Sequence, residues 1–275
     1  MDRLSSLRDR FARIRVVLVE PRYDGNLGQV ARAMLNFGLT RLVLAGGRAN
    51  PASDEARWYS REEGAEVLDA VLRVDTVEQA VHGCRMVIGT SRRHGKHRGD
   101  GDPPDELFAD LAPWDAPWET ALVFGREAHG LSTAELEMCQ RVAWIPTDPA
   151  CPSLNLAHAV AVTGYALAGA ARRAGPDEPV PREFTPATSA EIEALFDHAR
   201  AAWLRIGYLS QQNPDIILRR WRWIFGRTLL SEGEVRMIRG LLHQVEWLAS
   251  VAGIPPEGPS AAPEVFNKHR ETGSE

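Results

Sequence analysis

Cysteine is scarce in this chain of 275 residues, and its spacing excludes two kinds of scaffold. The three cysteines, Cys84, Cys139 and Cys151, form no CxxC pair. Disulfide-stapled domains and structural zinc sites depend on closely spaced cysteines. We therefore expect a fold without disulfides or a structural zinc ion, in the reducing environment of the cytoplasm.

Long apolar runs are also missing. No uninterrupted apolar stretch approaches the roughly 20 residues that a membrane-spanning helix needs. Residues 1–15 are rich in Arg and Asp and lack the apolar centre of a signal peptide. The hydrophobic content of 44% and the charged content of 25% are ordinary for a globular protein. The expectation is a globular protein without membrane association.

Three signatures of other enzyme classes are absent. The glycine-containing segment Asp24–Met34 is neither a GxGxxG dinucleotide motif nor a P-loop with its lysine. No Gly-x-Ser-x-Gly elbow of a serine hydrolase occurs. His129 and His158 have no metal-like spacing with other ligands, so no metal is expected. These absences count against an ordinary nucleotide-binding α/β enzyme, a serine hydrolase and a metalloenzyme.

What the chain does contain is an alternation of strand and helix patterns. Six short runs rich in apolar and β-branched residues predict strands: Ile14–Glu20, Arg41–Ala45, Val71–Val74, Met86–Gly89, Ala121–Phe124 and Val142–Ile145. Apolar spacing and capping residues predict four helices between or after them: Asn26–Phe37, Thr76–Gly83, Ser132–Cys139 and Ser153–Arg172. This alternation predicts an α/β fold with a mainly parallel sheet and helices on both faces.

The composition changes after this region. Residues 174–188 contain four prolines and are interpreted as a linker between a first domain, 1–173, and a second, 189–252. The second domain has no strand pattern. Its three predicted helices are Ser189–Leu204, Pro214–Phe225 and Ser231–Ala249. Residues 253–275, rich in Pro, Glu and Ser, predict a disordered tail.

Polar residues follow the predicted strands of the first domain. Gly125, Arg126 and Glu127 come directly after one strand, and Ser153 and Asn155 open a long helix. Open α/β sheets bind ligands at the carboxyl ends of their strands. Each residue taken singly also has a structural interpretation, because Glu127 suits a salt bridge and Ser153 suits a helix N-cap. Together they predict a ligand site.

Three segments in combination resemble the SpoU–TrmH family of SPOUT RNA methyltransferases. They are Asn26–Gly38, Leu122–Leu131, and Ile145–Thr147 with Ser153–Ala157, and their order, spacing and residue types match the family's three motifs. The resemblance extends over about residues 13–172. Four segments of the second domain are similar to the C-terminal domain of the family's TrmJ group: Ile206–Tyr208, Asn213–Pro214, Arg219–Arg227 and Glu234–Leu242.

The resemblance implies a SPOUT-type knotted sheet, a homodimer and S-adenosyl-L-methionine as cofactor. The implied reaction is 2′-O-methylation of a tRNA ribose at nucleotide 32 of the anticodon loop, at C or U. Two alternatives stay open: a ribosomal-RNA 2′-O-methyltransferase of the same fold, and a catalytically silent RNA-binding protein. The positions that match the family's cofactor contacts are Thr90, Ser91, Arg92, Gly125, Ile145, Pro152, Ser153 and Leu154.

The same resemblance assigns the catalytic residues. Arg32 is the residue to which the family points, and a guanidinium stays protonated, which makes it a poor proton acceptor. We expect it to grip the target phosphate through two hydrogen bonds and to ease deprotonation of the adjacent hydroxyl. Ser153 and Asn155 would position the ribose or the cofactor loop. Glu127 would orient Arg126 or Asn26.

The net charge of −5 does not indicate nucleic-acid binding, but local basic patches do. Arg93, Lys96 and Arg98 lie in a glycine-containing loop next to the expected cofactor contacts. A second patch contains the predicted RNA-binding residues Arg219, Arg220 and Arg222. Around it, helical spacing favours a core role for Leu218, Trp221, Ile224 and Phe225 and a surface position for Trp223. Phosphate contacts to such arginines supply affinity for RNA.

Overall fold

The computed structural model describes residues 5–92, 101–111, 118–174, 185–226 and 228–258, without the side chains of residues 5 and 6. The chain divides into two compact units, Met1–Ser189 and Ala190–Glu275. Within the described ranges, no helix is long and apolar enough to cross a membrane. Parts of three predicted segments lie outside the described residues: the basic loop at 93–100, the linker at 175–184 and the tail from 259 onward.

The first unit contains a six-stranded sheet in the order β3-β2-β1-β5-β4-β6, and every pairing in it is parallel. Its strands are β1 (Ile14–Val19), β2 (Arg41–Ala45), β3 (Leu72–Val74), β4 (Cys84–Ser91), β5 (Glu119–Phe124) and β6 (Arg141–Trp144). Because all strands run the same way, their carboxyl ends share one edge of the sheet. That edge is where α/β sheets bind ligands.

Seven described helices lie entirely in the first unit. The eighth begins at Ser189, the last residue of that unit, and continues in the second. The seven are α1 (Ser5–Arg10), α2 (Asp24–Asn36), α3 (Asp54–Asp69), α4 (Val77–Val81), α5 (Pro104–Asp110), α6 (Thr133–Glu137) and α7 (Leu156–Ala174). The other three described helices are α8 (Ser189–Arg205), α9 (Pro214–Gly226) and α10 (Glu232–Val251).

The sheet is buried on both faces, as its nearly continuous apolar strands require. On one face Val17 and Val123 pack in a core cluster with Val81 of α4 and Leu136 of α6. Side chains alternate along a strand, so Val16 points to the opposite face, and it is fully buried as well. The predicted parallel sheet covered by helices is therefore confirmed.

Three helices were not predicted, namely α1, α3 and α5, and two helix starts were predicted wrongly. Helix α2 begins at Asp24, so Asn26 lies in its first turn and is not its cap. Helix α7 begins at Leu156, and the Asn155 side chain accepts a hydrogen bond from the Ala157 amide at 2.8 Å. Asn155, and not Ser153, therefore caps α7, which leaves Ser153 in the preceding loop.

Helices α2 and α3 approach each other closely at Gly28. A Cβ atom built on Gly28 would lie 2.2 Å from the carbonyl oxygen of Ala56 on α3, a distance that no side chain tolerates. Glycine permits such close backbone approach. The contact places the first two turns of α3 directly beside α2.

The helical unit has its own small core. Phe196, Leu209 and Leu218 are buried there, with Trp203 and Trp221 packed against them. The Trp221 indole donates a hydrogen bond to the Tyr208 hydroxyl at 3.0 Å. The predicted core roles of Leu218, Trp221 and Phe225 are confirmed, as is the exposure of Trp223. The core role predicted for Ile224 is wrong, because 44% of this residue is exposed.

Candidate active site

A cleft opens at the carboxyl edge of the sheet, where β4 and β5 end and the loops after β5 and β6 meet. All eight positions predicted to contact a cofactor line this one cleft: Thr90, Ser91, Arg92, Gly125, Ile145, Pro152, Ser153 and Leu154. They are up to 64 residues apart in sequence and come from three strand ends and the loop before α7. Strand β4 extends to Ser91, so Thr90 and Ser91 are the last two residues of this strand and do not lie in a loop.

The loop after β5 forms one wall of the cleft. It folds back on itself through two hydrogen bonds, from the Arg126 amide to the Gly130 carbonyl at 3.2 Å and in the reverse direction at 2.8 Å. A Cβ atom on Gly125 would lie 2.1 Å from the carbonyl carbon of Gly130. The turn therefore requires glycine at position 125 because of close backbone approach.

Arg126 anchors this loop to two carboxylates. Its guanidinium lies 2.6 Å from Glu20, at the end of β1, and 2.9 Å from Glu135, on α6. Hydrogen bonding from Arg126 lowers the pKa of Glu20. Burial alone would raise the pKa of Glu135, but hydrogen bonds from Arg126 and Ser132 outweigh it and lower that pKa too. The ion pairs thus hold the loop in place, and Glu127 takes no part in orienting Arg126.

Glu127 instead belongs to a chain of side chains that joins the three sequence motifs. The Asn26 amide nitrogen donates to Glu127 Oε1 at 2.9 Å, and the Asn155 amide nitrogen donates to Asn26 Oδ1 at 3.0 Å. Asn26 is only 9% exposed. The chain links α2, the loop after β5 and the start of α7, so it fixes their relative positions.

One atom of this chain has no partner. Glu127 Oε2 is buried and accepts no hydrogen bond from any described residue. A buried carboxylate oxygen without a donor is costly, and such groups usually meet a ligand or water. The cleft beside it combines the apolar side chains of Ile145 and Leu154 with the hydroxyls of Ser91 and Ser153. These groups fit a ligand that carries both an aromatic base and hydrogen-bonding groups, as S-adenosylmethionine does.

Arg32 does not lie in this cleft. It is exposed on α2 and lines a separate groove between α2, α3 and α7. The first turns of α7 divide the two sites: Leu156 and Ala159 line the cleft, while Ala157, His158 and Ala161 line the groove. Arg32 forms no ion pair with any carboxylate among the described residues. Within a single chain, the predicted catalytic arginine and the predicted cofactor residues are therefore not brought together.

The family model of the SpoU rRNA methylases matches residues 13–165, which include the cleft, the hydrogen-bonded chain and Arg32. The chain belongs to the SpoU methylase family. The model of the C-terminal domain of the tRNA methyltransferase TrmJ matches residues 190–253, which cover the helical unit.

Relatives of this SpoU methylase share both parts. It is 38% identical over 247 residues to the tRNA (cytidine/uridine/adenosine-2′-O-)-methyltransferase TrmJ of Pseudomonas aeruginosa, covering 86% of this chain and 95% of that protein. It is 33% identical over 235 residues to the tRNA (cytidine/uridine-2′-O-)-methyltransferase TrmJ of Escherichia coli K12, covering 85% and 95%. The crystal structure of TrmJ from Z. mobilis superposes with a TM-score of 0.67 at 28% identity, covering 84% of this chain and 98% of that one.

The three arginines of α9 that were predicted to bind RNA differ in their exposure and in their contacts within the protein. Arg222 makes two hydrogen bonds to Glu193, at 2.6 and 2.7 Å, and its guanidinium lies 4.2 Å from the Phe196 ring centroid. A guanidinium held in this way stabilises the domain. Arg220 is exposed, and Arg219 and Arg222 are half-buried. RNA contacts by all three arginines stay predictions.

Two features of the SpoU methylase site were missed in the sequence. One is the pairing of Arg126 with Glu135 and with Glu20, which lies 106 positions earlier in the sequence. The other is α3, which supplies a wall of the Arg32 groove. Ser53 caps α3, and Asp54 and Glu55 occupy its first turn. That start signal was visible, although the apolar spacing after it is weak.

The described residues contain no group of three or more His, Cys, Asp or Glu side chains placed to hold a metal ion. None of the three cysteines, which all lie among the described residues, forms a disulfide bond.

Proposed function

We propose that this chain is an S-adenosylmethionine-dependent tRNA ribose 2′-O-methyltransferase of the TrmJ type, acting on C or U at nucleotide 32 of the anticodon loop. The observation that carries the proposal is the cleft: the eight positions that match the family's cofactor contacts converge there, next to a buried carboxylate oxygen without a partner among the described residues. The TrmJ-type helical domain favours tRNA over ribosomal RNA as the substrate.

S-adenosylmethionine supplies an electrophilic methyl group on a sulfonium. The cleft would hold it largely through backbone at Gly125, Ile145 and Leu154, and through the hydroxyls that lie beside them. Glu127 Oε2 offers an acceptor to a donor group of the ligand or the ribose. The hydrogen-bonded chain of Asn26, Glu127 and Asn155 would keep the surrounding loops in the geometry that in-line transfer needs.

Arg32 would act on the RNA. A ribose 2′-hydroxyl is a weak nucleophile until its proton is withdrawn. The role of Arg32 in the proposal is to bind the phosphate next to the target ribose in a bidentate manner and to stabilise negative charge on the oxygen. The proton would pass to a phosphate oxygen or to water.

The separation of Arg32 from the cleft supports a homodimer. Because the start of α7 lies between them, an Arg32 that serves its own cleft would have to reach around a helix, whereas an Arg32 from a partner protomer would not. In this proposal the C-terminal part of the sheet is knotted, as in other SPOUT enzymes, and the enzyme works in the cytoplasm.

The direct test is methyl transfer from labelled S-adenosylmethionine to bulk tRNA and, separately, to ribosomal RNA, followed by digestion and mapping of the methylated nucleotide. We expect label at the 2′-oxygen of nucleotide 32 in a subset of tRNAs. Label in ribosomal RNA alone would replace the proposal with the ribosomal alternative. Cofactor binding without transfer to either RNA would indicate a silent RNA-binding protein.

A mixing experiment tests the sharing of Arg32 between protomers. Arg32→Ala chains lack the arginine but keep the cleft, and Gly125→Ala chains keep the arginine but have a distorted cleft. If the partner supplies Arg32, mixed dimers regain activity that neither variant has alone. If each protomer uses its own arginine, mixing restores nothing.

The helical domain is tested by two arginines of α9. Arg220→Ala should weaken tRNA binding several-fold with unchanged thermal stability, because Arg220 is exposed. Arg222→Ala should lower the melting temperature, because it leaves Glu193 without its partner. Equal tRNA affinity of the Arg220→Ala protein and the wild type would argue against an RNA contact at this position.

A further inference from the structure

The groove that contains Arg32 has an unusual lining for a protein of net charge −5. Its cationic side chains are Arg32 and Arg61, its amides are Gln29 and Asn36, and His158 lies at its α7 side. None of the described residues that line it is acidic. The groove therefore presents hydrogen-bond donors and positive charge, which suits a polyanionic ligand.

Two aromatic side chains of α3 lie open in this groove. Trp58 is 66% exposed and Tyr59 is 43% exposed, although large aromatic residues are usually mostly buried. The Arg61 guanidinium lies 5.1 Å from the centroid of the Trp58 ring. Binding sites for single-stranded nucleic acids combine exposed aromatic side chains, on which bases stack, with cationic side chains, which bind phosphates. Trp58 and Arg61 form such a combination.

The backbone of α3 breaks at the same place. Arg61 has φ 59° and ψ −173°, a conformation that favours glycine and strains other residues. The buried Ser60 hydroxyl lies 3.1 Å from the carbonyls of both Arg57 and Arg61 and stabilises the break. Strain of this kind persists where a binding or catalytic site requires it.

We propose that this groove binds one nucleotide of the RNA substrate next to the target ribose, with the base stacked on Trp58 and phosphates paired with Arg61 and Arg32. The inference rests on the proposed function and adds a recognition subsite on α3 to it. RNA is favoured as the occupant because two arginines and no acidic side chain line this groove, and arginine pairs with phosphate through two parallel hydrogen bonds. Single-stranded anticodon-loop bases are free to leave their stack and enter such a site.

Substitution of Trp58 gives the first test. Trp58→Ala should raise the Kd for tRNA roughly tenfold to a hundredfold, the range for loss of one stacked base, and leave the Kd for S-adenosylmethionine unchanged. Trp58→Phe retains an aromatic face and should stay within about threefold of the wild type. Tyr165→Ala is the matched control, because Tyr165 is also 66% exposed and does not line the groove.

Substitution of Arg61 by glycine separates a role in binding from a role in stability, because thermal stability and tRNA affinity should change in opposite directions. Arg61→Gly relieves the strained φ, so thermal stability should be maintained or increased. The same variant should bind tRNA more weakly, and the slope of log Kd against log salt concentration should fall by about one. Arg57→Ala is the matched control: Arg57 lies on the same helix but is paired with Asp69, at 2.6 Å, and does not line the groove.

The outcomes divide cleanly. Weaker tRNA binding by Trp58→Ala and Arg61→Gly, with both controls normal, supports the subsite. Normal tRNA affinity in both variants, with wild-type methylation of tRNA intact, overturns the subsite and leaves the proposed function standing. A change of Trp58→Ala from dimer to monomer in analytical ultracentrifugation also overturns it, because the surface would then be a protein interface. Absence of tRNA methylation by the wild type would contradict the proposed function itself.

Discussion

The cleft and the groove lie on opposite sides of the first turns of α7, and they are built in different ways. The cleft is formed by the ends of parallel strands and their loops, where glycine and backbone atoms matter most. The groove is formed by three helix surfaces, and its chemistry depends on the side chains of Arg32, Trp58 and Arg61. A bound cofactor would therefore depend on backbone shape, whereas a bound RNA would depend on charge and aromatic surface.

The largest expected effect is on the groove side. Arg32→Ala should lower the rate of methyl transfer about a hundredfold to a thousandfold, the range for loss of one group that stabilises developing charge. Binding of S-adenosylmethionine should not change, because Arg32 lies outside the cleft of its own chain and acts on the RNA in the proposal. Single-turnover kinetics with saturating cofactor, together with calorimetry, measure both. Arg32→Lys should recover little activity, and a near wild-type rate would contradict bidentate phosphate binding.

The counterpart on the cleft side is Gly125→Ala. The added methyl would overlap the backbone of Gly130, so the loop must shift. We expect the Kd for S-adenosylmethionine to rise roughly tenfold or more, in line with the cost of overpacking. Calorimetric titration checks this, with Gly130→Ala as a comparison because its added Cβ meets no atom within 4 Å, although its φ of 69° adds strain. Unchanged affinity of Gly125→Ala for S-adenosylmethionine would contradict the proposal that the cleft binds this cofactor.

Substitutions of Glu127 test the two roles of this carboxylate, which accepts a hydrogen bond from Asn26 and lines the cleft. Glu127→Gln can still accept the Asn26 hydrogen bond, so the free energy of unfolding should change by less than about 1 kcal/mol. It replaces Oε2, the atom without a partner, by a donor, so cofactor affinity or turnover should fall several-fold. Glu127→Ala should also destabilise the protein by about 1–3 kcal/mol, because the buried Asn26 amide loses its acceptor. Full activity of Glu127→Gln would mean that Oε2 meets no substrate or cofactor.

The smallest effect concerns the anchor of the cleft loop. The pKa of Glu135 is lowered in the folded protein, so its ionised form stabilises the fold above the ordinary carboxyl pKa, near 4.5, and this contribution is lost as the pH falls below that value. Glu135→Gln should therefore cost on the order of 1 kcal/mol at pH 7 and much less near pH 3. Denaturant titrations at the two pH values measure the difference, and an equal cost at both would contradict the ionic role.

The cleft was accessible from the sequence and the groove was not, for physical reasons. Strand ends are marked locally, because apolar runs stop at Gly125 and at Ile145, and parallel strands must end at one edge. A groove between helices depends on how helices pack. Trp58 and Arg61 line the groove beside Arg32 because α3 packs closely against α2, as the contact at Gly28 shows, and α3 was not predicted.

Two errors at helix starts have a shared cause. The two helices were predicted to start at Asn26 and Ser153, because Asn and Ser are favoured at helix starts. In the folded chain Asn26 hydrogen-bonds to Glu127, and Asn155 takes the cap of α7. Local preference identified the right segments. It could not show that Asn26 bonds to Glu127, 101 residues away, or that Asn155 both caps α7 and donates to Asn26. The roles of the individual site residues stay predictions until the substitutions above are made.

The start of α7 is a wall common to both sites, and this has a thermodynamic consequence. A ligand that displaces Leu156 or Ala159 in the cleft also displaces Ala157 and His158 in the groove, because one rigid helical turn carries all four. Occupancy of one site then changes the binding free energy of the other, and the change must be equal in both directions. Cofactor would alter affinity for RNA by the same factor by which RNA alters affinity for cofactor.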